Sequence, residues 1–411
     1  MLNNKRIILH IDFNSYFASV EQQANPFLRG KSIGIGGKPG SRSIVATASV
    51  EAKRQGVKTA MSSSKAVQIA PDLQMIDGDS RKYSEMTGRF LNILDRHSDI
   101  VEQFSIDEAF LDVTNRCTDW MDAIAIALRI RDELKNEIGP HVTASIGISE
   151  NKLMAKIASE SEKPNGVTVV YPDEKEEFLN TRELSDAPGI GFSILRRLEE
   201  MGVTSFAQLR TLPLPHLLKQ FKQYGSFLYN ASRGIDNDPV SDSVEIPKSV
   251  GHSYTLPFDT QSPEILRATL LRLADKVAWR LRKHGLVARS FSAVVRFESM
   301  SFQGSLGRFD APTSEGYEIF SGAWSKVAPL LEMDKIRLVG VSARDLVPMH
   351  EQMTADTTKQ KRVNIMPALD KIQHRYGPGS WLRASELLAT KLQERSNGFF
   401  FDHIGESSEV Y

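Results

Sequence analysis

Phe104-Ser105-Ile106-Asp107-Glu108-Ala109-Phe110-Leu111-Asp112 sets two adjacent carboxylates among strand-forming residues. Ile100 and Val101 before them, and Phe110, Leu111 and Val113 after, are the β-branched and apolar residues that suit a half-buried pleat. Successive side chains on a strand point to opposite faces, so two acids in a row mark either a solvated hairpin tip or a site. A buried carboxylate is costly unless something positive sits beside it. The stretch holds no Lys or Arg, so the partner that fits is a divalent metal ion. The pair alone leaves both readings open.

A second run, Ile7-Ile8-Leu9-His10-Ile11, ends in Asp12 and passes into Phe13-Asn14-Ser15-Tyr16-Phe17-Ala18-Ser19-Val20-Glu21. It reads as a strand breaking directly into a helix, with Asn14 or Ser15 as N-cap. The acid thus stands beside a helix N-terminus, where anions bind. If the two strands are neighbours, Asp12, Asp107 and Glu108 converge. Three such carboxylates suit two hard cations clamping an in-line displacement at phosphorus.

These two stretches together resemble the two palm motifs of the Y-family, the translesion DNA polymerases, and among them the DNA polymerase IV type. The resemblance extends to about Leu346. It implies an α+β multidomain fold of the right-hand polymerase kind. Palm would occupy 1–15 and 83–171, small fingers 16–82, a helical thumb 172–240, a linker 241–247, an α/β little finger 248–347 and a tail 348–411. It implies a low-fidelity, template-directed polymerase that adds dNTPs to a primer 3′-hydroxyl without proofreading. Asp12, Asp107, Glu108 and the Phe13 carbonyl would hold two Mg²⁺ ions, with Asp107 and Glu108 catalytic. Phe17 matches the steric gate, where an aromatic ring clashes with a ribose 2′-hydroxyl.

Composition bounds this reading without supporting it. The 411 residues are enough for two to four domains. Lys+Arg and Asp+Glu number 51 each, so a nucleic-acid enzyme must concentrate its cations locally. A single cysteine, Cys117, excludes an intramolecular disulfide and a Cys-rich zinc site. The first apolar run is short and interrupted by Asp12, so no signal peptide is expected. No stretch approaches the ~20 apolar residues of a membrane span. A cytoplasmic monomer with no membrane partner is expected.

Gly36-Gly37 reads as a hairpin turn rather than a phosphate loop. The segment Val45 to Val57 is similar to the family's fingers motif, which contacts the incoming nucleotide. Thr47 matches. Val50 stands where the family has Tyr, and Lys53 where it has Arg, losing the bidentate fork on phosphate. Residues 83–99 and 120–138 carry amphipathic helical periodicity. The strand His141–Ser149 leads to a helix and then to the turn Lys163-Pro164-Asn165-Gly166. By resemblance, Lys163 reaches the triphosphate.

Pro188-Gly189-Ile190-Gly191 is a helix-hairpin-helix signature. Gly189 and Gly191 permit the tight turn, and the next helix's N–H groups suit a DNA phosphate. Lys248 opens a segment resembling the little finger. Arg267, Arg272, Lys276, Arg280, Arg282, Lys283 and Arg289 then follow, with only Asp275 opposing them. A buried stripe of Leu266, Leu270, Leu273, Val277 and Leu281 would leave those cations outward to track phosphates. Primer-template DNA, with Lys248, Arg280 and Arg289 among its contacts, and dNTPs are the expected partners. Glu351–Asp356 lies where relatives carry a sliding-clamp peptide. It keeps Gln352 but lacks the aromatic anchor. Phe399-Phe400-Phe401 near the end is an apolar cluster suited to a partner. Two other classes stay open: a non-catalytic DNA-binding scaffold, favoured by Val50 and Lys53, and a palm-type phosphotransferase such as a nucleotide cyclase.

Overall fold

The computed structural model describes residues 6–37, 42–243, 246–349, 357–377 and 380–389. Twelve strands lie among them: β1 (Ile8–Phe13), β2 (Ile33–Gly36), β3 (Val45–Ala48), β4 (Gln74–Ile76), β5 (Ile100–Gln103), β6 (Glu108–Asp112), β7 (Ala144–Ser149), β8 (Val167–Val169), β9 (Ser249–Thr260), β10 (Leu286–Phe297), β11 (Phe302–Thr313) and β12 (Ile336–Pro348). The chain divides into two compact units, one running to Val244 and the other beginning at Glu245.

The first unit is built on a sheet of order β5-β6-β1-β7-β8, in which β1 runs antiparallel to both β6 and β7. β1 is buried along its whole length. Its alternation decides what each residue meets. Leu9, Ile11 and Phe13 enter the main core with apolar residues of the helices Tyr16–Ala24, Ser80–Leu94 and Trp120–Glu133. Ile8 lies in a separate cluster with Phe110 and Ala155, and His10 on the same face reaches Ser159. That face is covered by the helix Lys152–Ser161. Each such aliphatic side chain contributes about 1.5–3 kcal/mol by leaving water.

The Lys152–Ser161 helix passes so close to β7 that a Cβ on Gly147 would stand 2.0 Å from the Ala155 carbonyl oxygen and 2.4 Å from the Ser159 nitrogen. Neither atom can rotate away. Gly147→Ala is therefore expected to cost about 3 kcal/mol, read as a lower denaturation midpoint.

Two expectations are adjusted here. The helix read over 120–138 is α-helical over Trp120–Glu133 and then widens to a π-turn, Leu134–Ile138, ending at Gly139 with φ 130°. Ser15 occupies the N-cap position of Tyr16–Ala24, but in a left-handed conformation (φ 53°) and without a side-chain cap bond.

A three-stranded sheet, β3-β2-β4, carries the short helix Val50–Arg54. Past β8, helices from Lys175–Asn180 to Tyr224–Ala231 bury Leu184, Leu198, Phe206, Leu209 and Leu217 with Leu153 and Ile157.

The second unit is an antiparallel sheet of order β11-β10-β12-β9, packed by the helices Pro263–Lys283 and Gly316–Val327. The outward cationic helix is corrected here in part: Arg267 and Lys283 are exposed, but the cations between them are not. Arg280 is only 9% exposed and points toward the Gly251 carbonyl. Burial, with Arg272 adding to it, lowers the Lys276 ammonium to about 8. Arg282 makes a bidentate pair with Asp370, at 2.6 and 2.7 Å. Arg383 returns to bind Asp275 at 2.6 and 3.1 Å. Of the balancing acids, Asp370 comes from the helix Thr357–Tyr376 and Glu386, which acts on Lys276, from beyond it, which spacing along one helix does not reveal. The Gln352 peptide and Phe399–Phe401 lie outside the described residues.

Candidate active site

Asp12 and Glu108 are direct cross-strand partners on β1 and β6, on the face covered by Lys152–Ser161. Asp107 lies one residue before β6, in the turn, and its carbonyl accepts the Phe13 N–H at 3.0 Å. The turn is thereby tied to the end of β1. This answers the puzzle of two adjacent acids: one is on the strand and the other at its mouth.

In each carboxylate one oxygen is engaged. Lys163 Nζ donates to Asp12 Oδ1 at 2.9 Å and to Glu160 Oε1 at 2.6 Å. Ser105 donates its hydroxyl to Asp107 Oδ1 at 2.6 Å. Glu108 Oε2 meets His10 Nε2 at 3.3 Å and, more closely, Lys156 Nζ. Lys156 itself lies over the Phe104 ring at 4.9 Å. Asp12 Oδ2 and Glu108 Oε1 have no hydrogen-bond partner among the described residues.

Burial pushes the Asp12 carboxyl up to about 7, against the pull of Lys163. Burial also raises Asp107, with the Ser105 hydroxyl opposing. Burial alone would raise Glu108 too, but the His10 hydrogen bond and the Lys156 charge outweigh it and take it to about 2. The Lys163 ammonium, which burial would lower, is raised by Asp12 and Glu160. Lys53 on the fingers helix is lowered by partial burial and then by Lys163, and it feels Asp12, Glu160 and Asp107. Burial holds two carboxyls above their ordinary range, a cost that a bound cation would offset.

No three or more His, Cys, Asp or Glu side chains among the described residues are gathered closely enough to hold a metal ion as they stand. Lysines take up part of the carboxylate valence instead. The donor chemistry nevertheless fits hard divalent cations: all oxygen and partly buried.

The structure therefore brings Asp12, Asp107, Glu108, Lys163 and Lys53 into one electrostatic cluster, with the Phe13 backbone at its edge. Phe17, in the first turn of Tyr16–Ala24, is 8% exposed and stacks on Tyr83 with centroids 4.5 Å apart. Thr47 sits on β3 opposite Ile35; no hydrogen bond among the described residues ties it to the acids. Gly189 has φ +96°, and a Cβ there would stand 2.6 Å from the Tyr224 hydroxyl. Gly191 caps the helix Phe192–Glu200 and meets no such obstacle. A cleft of about 470 Å³ runs from Lys156 and Glu160 to Arg182 and this hairpin. Lys248 and Arg289 are exposed, at the start of the second unit and at the β10 bulge.

Sequence reasoning missed His10, Ser105, Lys156 and Ser159. The signal for His10 was its place two residues before Asp12, hence on the same face of β1. Lys156 and Ser159 stand three apart on one helix, hence on one side of it.

Acids at the ends of neighbouring antiparallel strands, lysines above them, a small fingers sheet and a helix-hairpin-helix define a palm-type nucleotidyl transferase. Comparison with known proteins specifies it. Residues 11–160 match the impB/mucB/samB family, residues 247–356 its C-terminal domain, and residues 185–236 the DNA polymerase-iota thumb domain. A DNA polymerase IV of Dehalococcoides mccartyi is 34% identical over 377 residues, 91% of this chain and 96% of that protein. One from Streptococcus pneumoniae is 36% identical over 347 residues, covering 83% and 98%. A solved Y-family DNA polymerase chimera overlays with a TM-score of 0.73 at 28% identity, over 83% of this chain and 99% of its own. An insertion ternary complex of Dbh DNA polymerase gives 0.58 at 28% identity, over 84% and 100%. The chain belongs to the impB/mucB/samB family, the Y-family of translesion DNA polymerases. It is a DNA-directed DNA polymerase that works with divalent metal ions.

Proposed function

We propose that Asp12, Asp107, Glu108 and the Phe13 carbonyl hold two Mg²⁺ ions, and that the polymerase extends primers across damaged template without proofreading. The observation that carries this is the pair of unengaged carboxylate oxygens, on Asp12 and Glu108, at the adjoining ends of two buried strands. When bound, the ions acidify the primer 3′-hydroxyl and neutralise the leaving pyrophosphate. The chain's own groups bind and orient the nucleotide. Lys163 exchanges Asp12 for a phosphate oxygen, and Lys53 adds charge from the fingers side. The N-terminus of Tyr16–Ala24 follows the same end of β1 as Asp12, and a helix N-terminus suits an anion. Thr47 contacts the triphosphate from β3.

For primer-template DNA, the hairpin at Gly189–Gly191 supplies backbone N–H groups for a phosphate. In the second unit Arg280 and Arg282 of the cation-bearing helix are taken up within the protein, so DNA is assigned to the open face of the sheet instead. There the cross-strand register places Arg308 and Arg344 in one row, with Leu306, Ser292, Ser342 and Gly251 in the next. Small residues keep that face smooth: a Cβ on Gly340 would stand 2.8 Å from Val294 and Ser253. Lys248 and Arg289 remain DNA contacts in this reading, and Arg280 does not. No helix among the described residues is long and apolar enough to cross a membrane; we keep cytoplasmic as the proposed location.

Primer extension with Mg²⁺ on undamaged and abasic templates tests the reading. Extension of both is expected; binding of primer-template without extension would replace it with the scaffold reading. Lys163→Gln is expected to lower kcat/KM for dNTPs about 10–100-fold by removing a charged phosphate contact. Apparent metal affinity should not fall, because Lys163 competes for Asp12. Steady-state kinetics at varied Mg²⁺ reads both.

A further inference from the structure

His10 is fully buried in the middle of β1, where a strand of this kind ordinarily carries an aliphatic residue. Both ring nitrogens are partnered: Nε2 lies 3.3 Å from Glu108 Oε2 and Nδ1 lies 2.7 Å from Ser159 Oγ. The ring packs on Phe110 with centroids 4.5 Å apart. Chain geometry makes this contact possible, because His10 and Phe110 are cross-strand partners and Glu108 is the diagonal neighbour.

The wiring fixes the tautomer. A lone pair aimed at an ionised carboxylate would repel it, so Nε2 carries the proton and donates to Glu108. Nδ1 is then an acceptor, and the Ser159 hydroxyl, which also reaches the Lys156 carbonyl at 2.8 Å, turns its one proton to Nδ1. The chain Ser159–His10–Glu108 has the order of a nucleophilic triad, but Ser159 is 1% exposed and His10 0%. Neither reaches a substrate, so the arrangement positions a group rather than attacks with one.

We propose that His10, set by Ser159, is a positioning residue for Glu108: it holds Oε2 and so presents Oε1 to a divalent cation. The inference rests on the reading of Glu108 as a metal-binding carboxylate. Lys156 does not supply the same service. It grips the same oxygen, but as a cation whose charge opposes that of a metal ion on Oε1. His10 donates from an imidazole N–H, so it holds the oxygen by hydrogen bonding alone. Groups that orient metal-binding carboxylates affect affinity almost as strongly as some ligands do, by about 10–100-fold.

The test is Mn²⁺ binding to the full chain without nucleotide or DNA, read from the electron paramagnetic resonance of free Mn²⁺. His10→Phe keeps the ring and removes the donor; it is expected to weaken Mn²⁺ binding about 10–100-fold with the melting temperature held. His10→Gln, whose amide nitrogen can stand near the place of Nε2, should recover most of the affinity. Ser159→Ala should weaken binding in the same direction by a smaller factor, and it decides the matter if His10→Phe does not fold. A folded His10→Phe that binds Mn²⁺ as the wild type does would overturn the proposal, as would wild-type affinity in Ser159→Ala. Asp107→Ala separates the two readings: if it also binds Mn²⁺ normally, the assignment of the metal site has failed, not the role of His10 within it.

Discussion

Asp107→Ala is expected to abolish primer extension, with a loss of at least about 10³-fold in single-turnover rate. Asp107 sits in the turn whose carbonyl holds the Phe13 N–H, so it faces the end of β1 where the nucleotide arrives. Burial raises its carboxyl against the Ser105 hydrogen bond, and a bound cation would relieve that cost further. Removing it leaves Asp12 with Lys163 and Glu108 with Lys156, two ion pairs and no shared metal site. Asp107→Asn keeps the volume and a hydrogen-bond acceptor for Ser105 but not the charge; it is expected to fail as badly. DNA affinity, measured by fluorescence anisotropy on primer-template, should stay within about threefold, since phosphate contacts by cations dominate it. Extension surviving in either variant would remove Asp107 from the chemistry.

Much of this site was legible because it lies at the ends of apolar runs. β1 and β6 are made visible by Ile, Leu and Phe, and the acids mark where the apolar pattern stops. What joins Asp12 to Lys163 is less visible, since the two lie far apart in sequence and meet only because β7 and the Lys152–Ser161 helix bring the turn back over β1. His10 was hidden for a different reason. A histidine inside an apolar strand carries no local sign of its partner, and the partner is set by the register of β6. The cationic helix failed for a third reason. Its stripe of Arg and Lys is real, yet Asp370 and Glu386 are supplied from a later part of the chain. Periodicity reports which side of a helix is polar; it does not report what covers that side. The open sheet face, with glycine and serine where a strand ordinarily carries larger side chains, was equally invisible until register aligned the four strands.

Phe17→Ala is expected to relax sugar selection, lowering the preference for dNTPs over rNTPs by on the order of 10²-fold, the scale a pocket gains from one steric contact. The argument begins with rigidity. Phe17 stacks on Tyr83 at 4.5 Å and 26°, and Tyr16 lies against it at 5.6 Å. Tyr83 is fixed in turn, its hydroxyl donating to Glu21 Oε1 at 2.9 Å and its carbonyl accepting from the Tyr16 hydroxyl at 2.9 Å. A ring braced in this way cannot yield to an added hydroxyl, whereas a mobile one would move aside at little cost. Phe17 also belongs to the main core, so truncation costs about 3–5 kcal/mol of stability, and Phe17→Leu is the companion that keeps most of the volume. Phe17→Leu should show an intermediate loss of selectivity with near-normal stability. Competing incorporation of matched dNTP and rNTP, read on one primer, measures both. If discrimination is unchanged in the folded leucine and alanine variants, the ring is a packing residue and the sugar is selected elsewhere. If discrimination falls while dNTP incorporation persists, the brace of Tyr16, Tyr83 and Glu21 becomes part of how this polymerase chooses its substrate.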